Sequence, residues 1–471
     1  MHRLIKIIKN GNYNNICILG FGREGKSTLA FFKEHHRCRI TIADEKEIAF
    51  DNADNQNITI KTGTHYLDEL DQFDLIIKSP GISLPLEIEN PIKEKLTSQT
   101  ALFLQAFHRQ IIGITGTKGK STTSSLIYHI LKENNHDAVL VGNIGIPPWS
   151  MLSAINKKSI IVCELSAQQL YDVKHSPHIA LFLNLFADHL DYFGNMERYG
   201  MAKYNIFRFQ SAKDFLIYRS DCDFIKGIIE NYPPQCRQIE VKKDGSVFVV
   251  HHEHIRRKGE GLPIMDCNKI ALKGDHNFFN ILFAMEAVAT AVSLPYEKMY
   301  DALYSFQPLS NRLEHVGCFD GKHFYNDSIA TVPEAAMAAL CAIENVQTII
   351  LGGYDRGVDL TNLMTTVAEN PVSNVIFTGP SGKRMMEILN TRFPNHTKNI
   401  FYFEHYDGLV EKAVAITPPN SACVLSPASP SFDSFKNFEE RGTYFKDTVK
   451  KICSAYKIEH NKKKCTFAPK L

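Results

Sequence analysis

The chain has 471 residues, which predicts roughly three domains at about 150 residues each. Its formal net charge is only +2, so the chain lacks the strong basic excess that is typical of proteins that bind nucleic acid or a membrane surface. Eleven scattered cysteines without a C-x-x-C pair argue against a disulfide framework or a zinc site. Without a long apolar run or a signal-peptide pattern, the sequence predicts a cytoplasmic protein with no membrane insertion.

Strand-like and helix-like stretches alternate through three segments, which favours parallel sheets. The third segment begins near residue 311. The strands expected from apolar, β-branched runs are 16–19, 39–43, 73–77, 111–114, 348–351, 375–378 and 422–425. The sequence therefore predicts an α/β chain of three domains, each built on a largely parallel sheet, with bounds at 1–107, 108–309 and 310–471.

The turn after the first strand has the spacing Gly20-x-Gly22-x-x-Gly25, and Asp44 ends the second strand. Such a turn, with an acidic residue about 20 positions further on, is a dinucleotide fingerprint. Taken alone, it favours an NAD-dependent oxidoreductase. The alternative is a tight strand–helix turn that holds no ligand.

A second glycine-rich loop follows the strand 111–114 and precedes a helical pattern through Leu131. Strand, loop and helix in this order let backbone N–H groups and a helix N-terminus converge on phosphate oxygens. Its glycines lie at 113 and 116, whereas the usual phosphate loop would have one at 114. Residues expected to hold ATP phosphates are Gly116, Thr117, Lys118, Gly119, Lys120, Ser121 and Thr122. Lys120 would reach the β- and γ-phosphates, and the Ser121 hydroxyl would bind Mg²⁺.

Further short motifs follow this loop: Asn143-Ile-Gly, Glu164-Leu-Ser166, Asp188-His189-Leu-Asp191, Ala202-Lys203, Gly274-Asp-His276-Asn277, Asn311-Arg312, Asn326-Asp327-Ser328, Gly352-Gly353-Tyr-Asp-Arg356-Gly357 and Leu425-Ser-Pro-Ala-Ser-Pro-Ser431-Phe-Asp433. In this order, over about residues 15 to 450, the motifs resemble the Mur ligase family. The resemblance is to the type that adds glutamate to UDP-N-acetylmuramoyl-L-alanine during peptidoglycan-precursor synthesis. It implies a UDP-binding domain, a central ATPase domain and a C-terminal glutamate-binding domain, in an enzyme expected to be monomeric.

The resemblance also implies a mechanism, in which ATP phosphorylates the alanyl carboxylate and glutamate's amine attacks the acyl phosphate. It assigns the catalytic work to Lys120, Glu164, His189 and Lys203, the last as a carbamate formed with CO₂. Of these, Glu164, His189 and the Lys203 carbamate would bind Mg²⁺ together with Ser121. Further nucleotide contacts are implied for Asn143, Asn280, Arg312 and Asp327, of which Asn280 would contact the adenine. The alternatives are a surface glutamate, a structural histidine, an ion-paired lysine and a salt-bridged arginine.

The resemblance also implies contacts with the two other substrates, the UDP-substrate and glutamate. On the UDP side they are Gly20, Gly22, Gly25, Asp44, Ser79, Pro80, Gly81 and Ser166. On the glutamate side they are Thr331, Arg356, Ser431 and Phe438. In this context the first glycine turn would hold a UDP-sugar in place of NAD.

One departure from the family pattern concerns the glutamate. The common D-glutamate enzymes have Asp-Ser-Lys-Ala-Thr, whereas this chain has Ile329 in place of the lysine. Together with Val332-Pro333 and Gly-Tyr-Asp-Arg-Gly, this looks like a branch of the family that uses L-glutamate. D-glutamate is the family default, and the two enantiomers stay open. More distant alternatives are a folate polyglutamate ligase and a non-catalytic UDP-sugar-binding protein.

Overall fold

The computed structural model describes residues 1–48, 57–242, 248–251, 254–257, 263–266, 269–272 and 275–465. Gly274, which belongs to one of the sequence motifs, lies outside the described residues. The chain forms two compact units. The first comprises residues 1–270 and 276–306, and the second comprises residues 271–275 and 307–471.

The first sheet of the larger unit is wholly parallel and has the strand order β3-β2-β1-β4-β5. Its strands are β1 (Asn15–Leu19), β2 (Arg39–Asp44), β3 (Ile58–Thr62), β4 (Leu75–Lys78) and β5 (Leu96–Thr97). Its helices are α1 (His2–Asn10), α2 (Arg23–His35), α3 (Leu86–Ile92) and α4 (Gln99–Phe107). Because β2, β1 and β4 are neighbours and end at the same edge, the turns after them lie side by side.

The second sheet of this unit has the order β11-β10-β9-β6-β8-β7, and its pairings are parallel. Its strands are β6 (Ile111–Thr115), β7 (Ala138–Gly142), β8 (Ile160–Glu164), β9 (Ile179–Phe182), β10 (Phe215–Arg219) and β11 (Arg237–Val241). Its helices are α5 (Lys120–Glu133), α6 (Ala167–Leu170), α7 (Leu190–Phe193), α8 (Met196–Arg208), α9 (Asp223–Asn231), α10 (Asp275–Val292) and α11 (Tyr300–Ser305). The inner strands are apolar runs because both faces of a parallel sheet are covered.

A small antiparallel sheet follows, made of β12 (Phe248–His251), β13 (His254–Arg257) and β14 (Pro263–Asp266). Short 3₁₀ helices lie at Gly63–His65, Leu70–Gln72, His108–Gln110, Pro148–Ala154 and Tyr296–Met299. In the part of the chain that the structure describes, no single helix is long and apolar enough to cross a membrane. The segments His276–Val292 and Tyr296–Ser305 meet that criterion only as a pair, with a bend of 118° between them.

The smaller unit contains one mixed sheet with the order β15-β16-β20-β17-β18-β19, in which only β15 runs antiparallel to its neighbour. Its strands are β15 (Glu314–Phe319), β16 (Lys322–Asn326), β17 (Val346–Gly352), β18 (Asn374–Thr378), β19 (Asn399–Phe403) and β20 (Ala422–Leu425). Its helices are α12 (Pro333–Ala342), α13 (Thr361–Glu369), α14 (Gly379–Arg392), α15 (Leu409–Ile416) and α16 (Phe438–Cys465). Three domains on largely parallel sheets confirm the predicted fold class; the bounds at 107 and 309 stay predictions.

Candidate active site

The phosphate loop has the predicted strand–loop–helix order, because β6 ends at Thr115 and α5 begins at Lys120. Gly119 precedes the helix with a φ of +85°, a backbone conformation that side chains other than glycine rarely adopt. A Cβ there would lie 2.4 Å from Oδ1 of Asn280. The loop thus leads into the N-terminal turn of α5, and the Asn280 side chain packs against it at Gly119. A helix N-terminus in this position suits phosphate.

The loop is held from the adjacent strand by Asn184, a residue that the sequence interpretation missed. The Asn184 side chain accepts a hydrogen bond from Lys118 N at 2.9 Å and donates to Lys118 O at 3.0 Å. Its carbonyl accepts from Thr117 N at 3.1 Å. A signal was available, because Asn184 follows the buried strand β9 at the edge where parallel sheets bind ligands.

Two lysine side chains bring positive charge to this loop. Lys120 donates from Nζ to the carbonyls of Gly116 at 2.9 Å and Thr117 at 3.0 Å. Lys118 Nζ lies 3.2 Å from Oδ2 of Asp188. Although burial acts to raise it, the pKa of Asp188 is lowered, chiefly by Lys118. Asp188 therefore orients a cation of the loop.

Lys203 lies on α8 with its side chain buried beneath the loop. Its Nζ donates to Gly116 O at 2.9 Å and to Thr115 Oγ1 at 3.4 Å, and it lies 4.7 Å from the centre of the Tyr199 ring. Burial, and then the charge of Lys120, lower the pKa of this amine well below its usual range. Lys203 is therefore an enclosed side chain whose neutral form is favoured by burial, and not an exposed, ion-paired ammonium.

Glu164 ends β8, next to the strand that leads into the phosphate loop. Its carboxylate is 1% exposed, and Oε1 accepts a hydrogen bond from Nδ2 of Asn143 at 2.8 Å. The other oxygen, Oε2, is buried and has no hydrogen-bond partner among the described residues. A buried anionic oxygen without a donor fits a cation, so the residues present are compatible with Mg²⁺.

The other predicted metal ligands are less closely assembled. In the described ranges, no three His, Cys, Asp or Glu side chains come together as a ready metal-binding set. His189 is exposed at the start of α7, and its ring centre is 6.3 Å from that of Tyr199. The Tyr199 ring thus contacts both His189 and Lys203. The metal assignments for Ser121, His189 and Lys203 stay predictions.

The predicted adenine contact, Asn280, is buried against the loop on α10. Its Oδ1 accepts a hydrogen bond from Thr123 Oγ1 at 3.2 Å, and its Nδ2 donates to Asn277 Oδ1 at 2.8 Å. Both ends of the amide are therefore engaged by protein groups. The structure brings Asn280 to the nucleotide loop, and its contact with adenine stays a prediction.

A cavity of about 450 Å³ lies at the carboxyl edge of the first sheet. Five of the predicted UDP-side residues line it, namely Gly20, Gly22, Asp44, Ser79 and Pro80. Further lining comes from Arg23, Glu24, Glu45, Lys46, Tyr66 and Ile82. Gly25 packs closely within this turn, because a Cβ there would lie 2.1 Å from the Gly20 carbonyl oxygen, and its contact with substrate stays a prediction.

Two residues predicted to bind substrate already make local hydrogen bonds. Asp44 accepts from Phe21 N at 2.7 Å and from Lys46 N at 2.9 Å, one bond to each carboxylate oxygen. Ser166 caps α6, where its hydroxyl and the Gln169 side chain each accept from the other's backbone N–H at 3.1 Å. Both side chains shape the turns around the cavity; their contacts with substrate stay predictions.

In the smaller unit, Asp327 follows β16 and is almost wholly buried. It accepts hydrogen bonds from Ser426 Oγ at 2.7 Å and Leu313 N at 3.2 Å. Burial raises the pKa of Asp327 to about 7, and the charge of Arg312 acts to lower it. Arg312 and Asp327, predicted to act together on the nucleotide, are thus close enough to interact.

A fully buried arginine of this unit escaped the sequence interpretation. Arg441 on α16 donates from Nε to Ser328 Oγ at 2.9 Å and from Nη2 to the carbonyls of Ser328 at 2.8 Å and Ser429 at 3.0 Å. It therefore ties the segment after β16 to the segment after β20. A buried arginine has no sequence signature that distinguishes it from a surface arginine of the same helix.

Of the predicted glutamate contacts, Ser431 and Arg356 lie on linked loops, since Tyr354 N donates to Pro430 O at 2.9 Å. The Arg356 loop is fixed by a two-pronged ion pair between Asp355 and Arg384, with N–O distances of 2.9 and 2.8 Å. Arg356 itself is exposed. Phe438 is held through its carbonyl by Ser328 Oγ at 2.8 Å, and Thr331 and Ile329 precede α12.

Three stretches of the chain match domain families of known proteins. Residues 14–98 match the N-terminal domain of MurD-like Mur ligases, 114–288 the Mur ligase middle domain and 311–429 the Mur ligase glutamate ligase domain. UDP-N-acetylmuramoylalanine–D-glutamate ligases are similar over nearly their whole length. The Acetivibrio thermocellus enzyme is 32% identical over 95% of this chain and 98% of its own, and the Geobacillus kaustophilus enzyme is 30% identical over 93% and 98%.

Solved structures support the same architecture. The UDP-N-acetylmuramate–alanine ligase MurC of Thermotoga maritima superposes with a TM-score of 0.60 at 18% identity, covering 93% of this chain and 99% of that one. The MurF ligase of the same organism, solved in complex with ADP, has a TM-score of 0.58 at 15% identity, covering 93% and 95%. At these identities the likeness concerns the fold alone.

Proposed function

Because this chain belongs to the Mur ligase family and is an ATP-dependent ligase, we propose that it joins glutamate to UDP-N-acetylmuramoyl-L-alanine in peptidoglycan-precursor synthesis. The observation that carries the proposal is the set of residues that lie together at the end of β6. There a phosphate loop, the buried amine of Lys203 and the unpartnered oxygen of Glu164 lie together. A dinucleotide oxidoreductase has no use for this second site.

The larger unit would bind UDP-N-acetylmuramoyl-L-alanine in the cavity lined by Gly20, Asp44 and Ser79, and ATP on the loop that ends at Gly119. The alanyl carboxylate oxygen attacks the γ-phosphorus, and the bond to the β-γ bridging oxygen breaks, releasing ADP. The glutamate nitrogen then attacks the acyl carbon, loses a proton and expels phosphate. Lys120 contacts the carbonyls of Gly116 and Thr117 in the loop, where its charge would oppose the negative charge that develops during phosphoryl transfer.

Mg²⁺, when bound, would neutralise phosphate charge and polarise the transferring group. Glu164 supplies the best-formed part of its site, through the buried oxygen without a donor. Lys203 would contribute only after its amine has added to CO₂, because a carbamate carries oxygen ligands and a negative charge. Its hydrogen bond to Gly116 O, on the loop itself, supports this role. Ser121 and His189 complete the proposed set.

The glutamate would bind in the smaller unit, near Arg356 and Ser431. D-glutamate is the default, since the relatives named above use it. L-glutamate is the competing proposal, favoured by the neutral Ile329 beside Asp327 and by the arginine at 356. A guanidinium offers a forked pair of donors to a carboxylate, which a lysine cannot. We further propose that the enzyme works as a monomer in the cytoplasm.

One assay tests the proposal: phosphate release from ATP and Mg²⁺ with UDP-N-acetylmuramoyl-L-alanine and either glutamate enantiomer. We expect release that needs the UDP-substrate and one enantiomer together. Lys120→Met serves as the matched control, because it keeps the side-chain length and removes the charge. Release without a need for glutamate, or none at all, would refute the proposal. A preference for the L form would replace only the default enantiomer.

A further inference from the structure

The loop Ser79–Ile82, which forms one wall of the substrate cavity, is held by residues whose roles are not yet explained. Lys78 precedes this loop at the end of β4 and is only 4% exposed. Its Nζ donates to the carbonyl oxygen of Ile82 at 3.2 Å and lies 3.4 Å from Oδ2 of Asp172. Asp172 lies beyond α6, so this ion pair joins the first sheet to the central one.

A second side chain, from a helix of the central domain, contacts the same carbonyl of Ile82. The hydroxyl of Tyr192, on α7, donates to Ile82 O at 3.3 Å. Tyr192 lies three residues beyond His189, on the short helix that His189 precedes. The carbonyl of Ile82 is therefore held between an ammonium group from its own domain and a phenol from the ATPase domain.

The glycine turn, which also lines the cavity, has a matching link. Glu24, in the glycine turn, accepts a hydrogen bond from Nε2 of Gln169 at 2.8 Å. Gln169 lies on α6, the same helix that leads to Asp172 and begins three residues after Glu164. The segment that follows the Glu164 strand thus contacts the glycine turn directly and the Ser79–Ile82 loop through Lys78, while the helix that follows His189 contacts that loop directly.

We propose that Lys78, Asp172 and Tyr192 are positioning residues that fix the Ser79–Ile82 loop, so that bound UDP-substrate directs its carboxylate to the phosphate site. The inference rests on the proposed function and adds to it the residues that set the alignment. A shift of about 1 Å in a bound group can cost on the order of a hundredfold in rate, so a loop anchored at one carbonyl is a sensitive point. None of the three side chains needs to touch a reacting atom.

The test uses the full chain with three substitutions: Tyr192→Phe, Lys78→Met and Asp172→Asn. Each removes one partner and keeps the side-chain size. We expect Tyr192→Phe to raise KM for the UDP-substrate about threefold, and the two ion-pair variants to raise it about tenfold, while KM for ATP changes less than twofold. Asp172→Asn should have the larger effect of the two, because it leaves the buried ammonium of Lys78 without its counter-ion.

Lys95→Met is the matched control. Lys95 also donates to a backbone carbonyl of the first domain, that of Asp71 at 2.6 Å, but it precedes β5, whereas the loop follows the parallel strand β4 at the other edge of the sheet. It should leave every kinetic constant unchanged. The double variant of Lys78 and Asp172 should raise KM no more than the larger single change, since both act through one pair.

Unchanged KM for the UDP-substrate in folded variants would overturn the inference. So would parallel rises in KM for ATP and for the UDP-substrate, or a fall in kcat that follows the loss of thermal stability, because both indicate a purely structural role. If the wild-type chain proves inactive, the proposed function fails, and titration with UDP by calorimetry decides the inference separately. Weaker UDP binding in the three variants would sustain it, and equal or absent binding would reject it.

Discussion

Replacing Lys203 by alanine is the most informative single change. The side chain is fully enclosed, and its amine lies 2.9 Å from a carbonyl of the phosphate loop. Burial and the nearby charge of Lys120 lower its pKa, which favours the neutral form of the amine that can react with CO₂. Addition of that amine to CO₂ gives an anion where two lysines and Mg²⁺ would otherwise leave an excess of positive charge.

The expected loss follows from this placement. Removing one group that stabilises charge in a phosphoryl-transfer site lowers kcat by about 10²–10³. Lys203→Ala also leaves a closed void that a small carboxylate can fill. Acetate or propionate should therefore restore part of the activity, whereas acetamide, of similar size and uncharged, should not. Lys203→Met fills the void and should be equally inactive but not rescued.

The assay is phosphate release at saturating ATP, with each additive titrated against each variant. The wild-type enzyme, prepared in buffer freed of CO₂, should also lose activity and recover it with bicarbonate. Full activity of Lys203→Ala would refute the carbamate role. Equal rescue by acetamide, or rescue of Lys203→Met, would show that the additive acts elsewhere.

Three further changes test other parts of the site. Gly119→Ala should destabilise the central domain by about 1–3 kcal/mol and raise KM for ATP, because the residue has a positive φ and its Cβ would meet Asn280. Thermal unfolding measures the first effect, and ATP titration measures the second. Glu164→Gln should raise the Mg²⁺ concentration for half-maximal activity about tenfold with little change in melting temperature, and an unchanged requirement would contradict the metal role. Asp327 has a pKa of about 7 in the folded chain and about 3.9 when unfolded, so its contribution to stability declines as pH rises from about 4 to 7. Asp327→Asn should abolish that decline, which melting temperatures at pH 5 and 8 would reveal, while activity is lost.

Sequence patterns were sufficient for features that depend on local order. The strand ending at Thr115, the turn through Gly119 and the helix from Lys120 follow from adjacent residues, because apolar runs, glycines and helix starts are local signals. Glu164 was likewise placed correctly at the end of a strand. By contrast, the pairing of Asp44 with the Phe21 and Lys46 amides depends on how its turn folds against its neighbour. That arrangement was not visible in the sequence.

The chemistry of Lys203 shows why the rest could not be predicted. On the sequence, Lys203 and Lys120 are two lysines on separate helices, and either could be a solvated cation. Their contacts with the Gly116 carbonyl, at 2.9 Å each, arise only because α8 packs beneath the loop of α5. Burial then lowers the pKa of Lys203, while Lys120 stays beside the phosphate position. In the proposed mechanism, two identical residue types would thus take different tasks, nucleophilic amine and fixed charge, because tertiary packing decides which one loses its water.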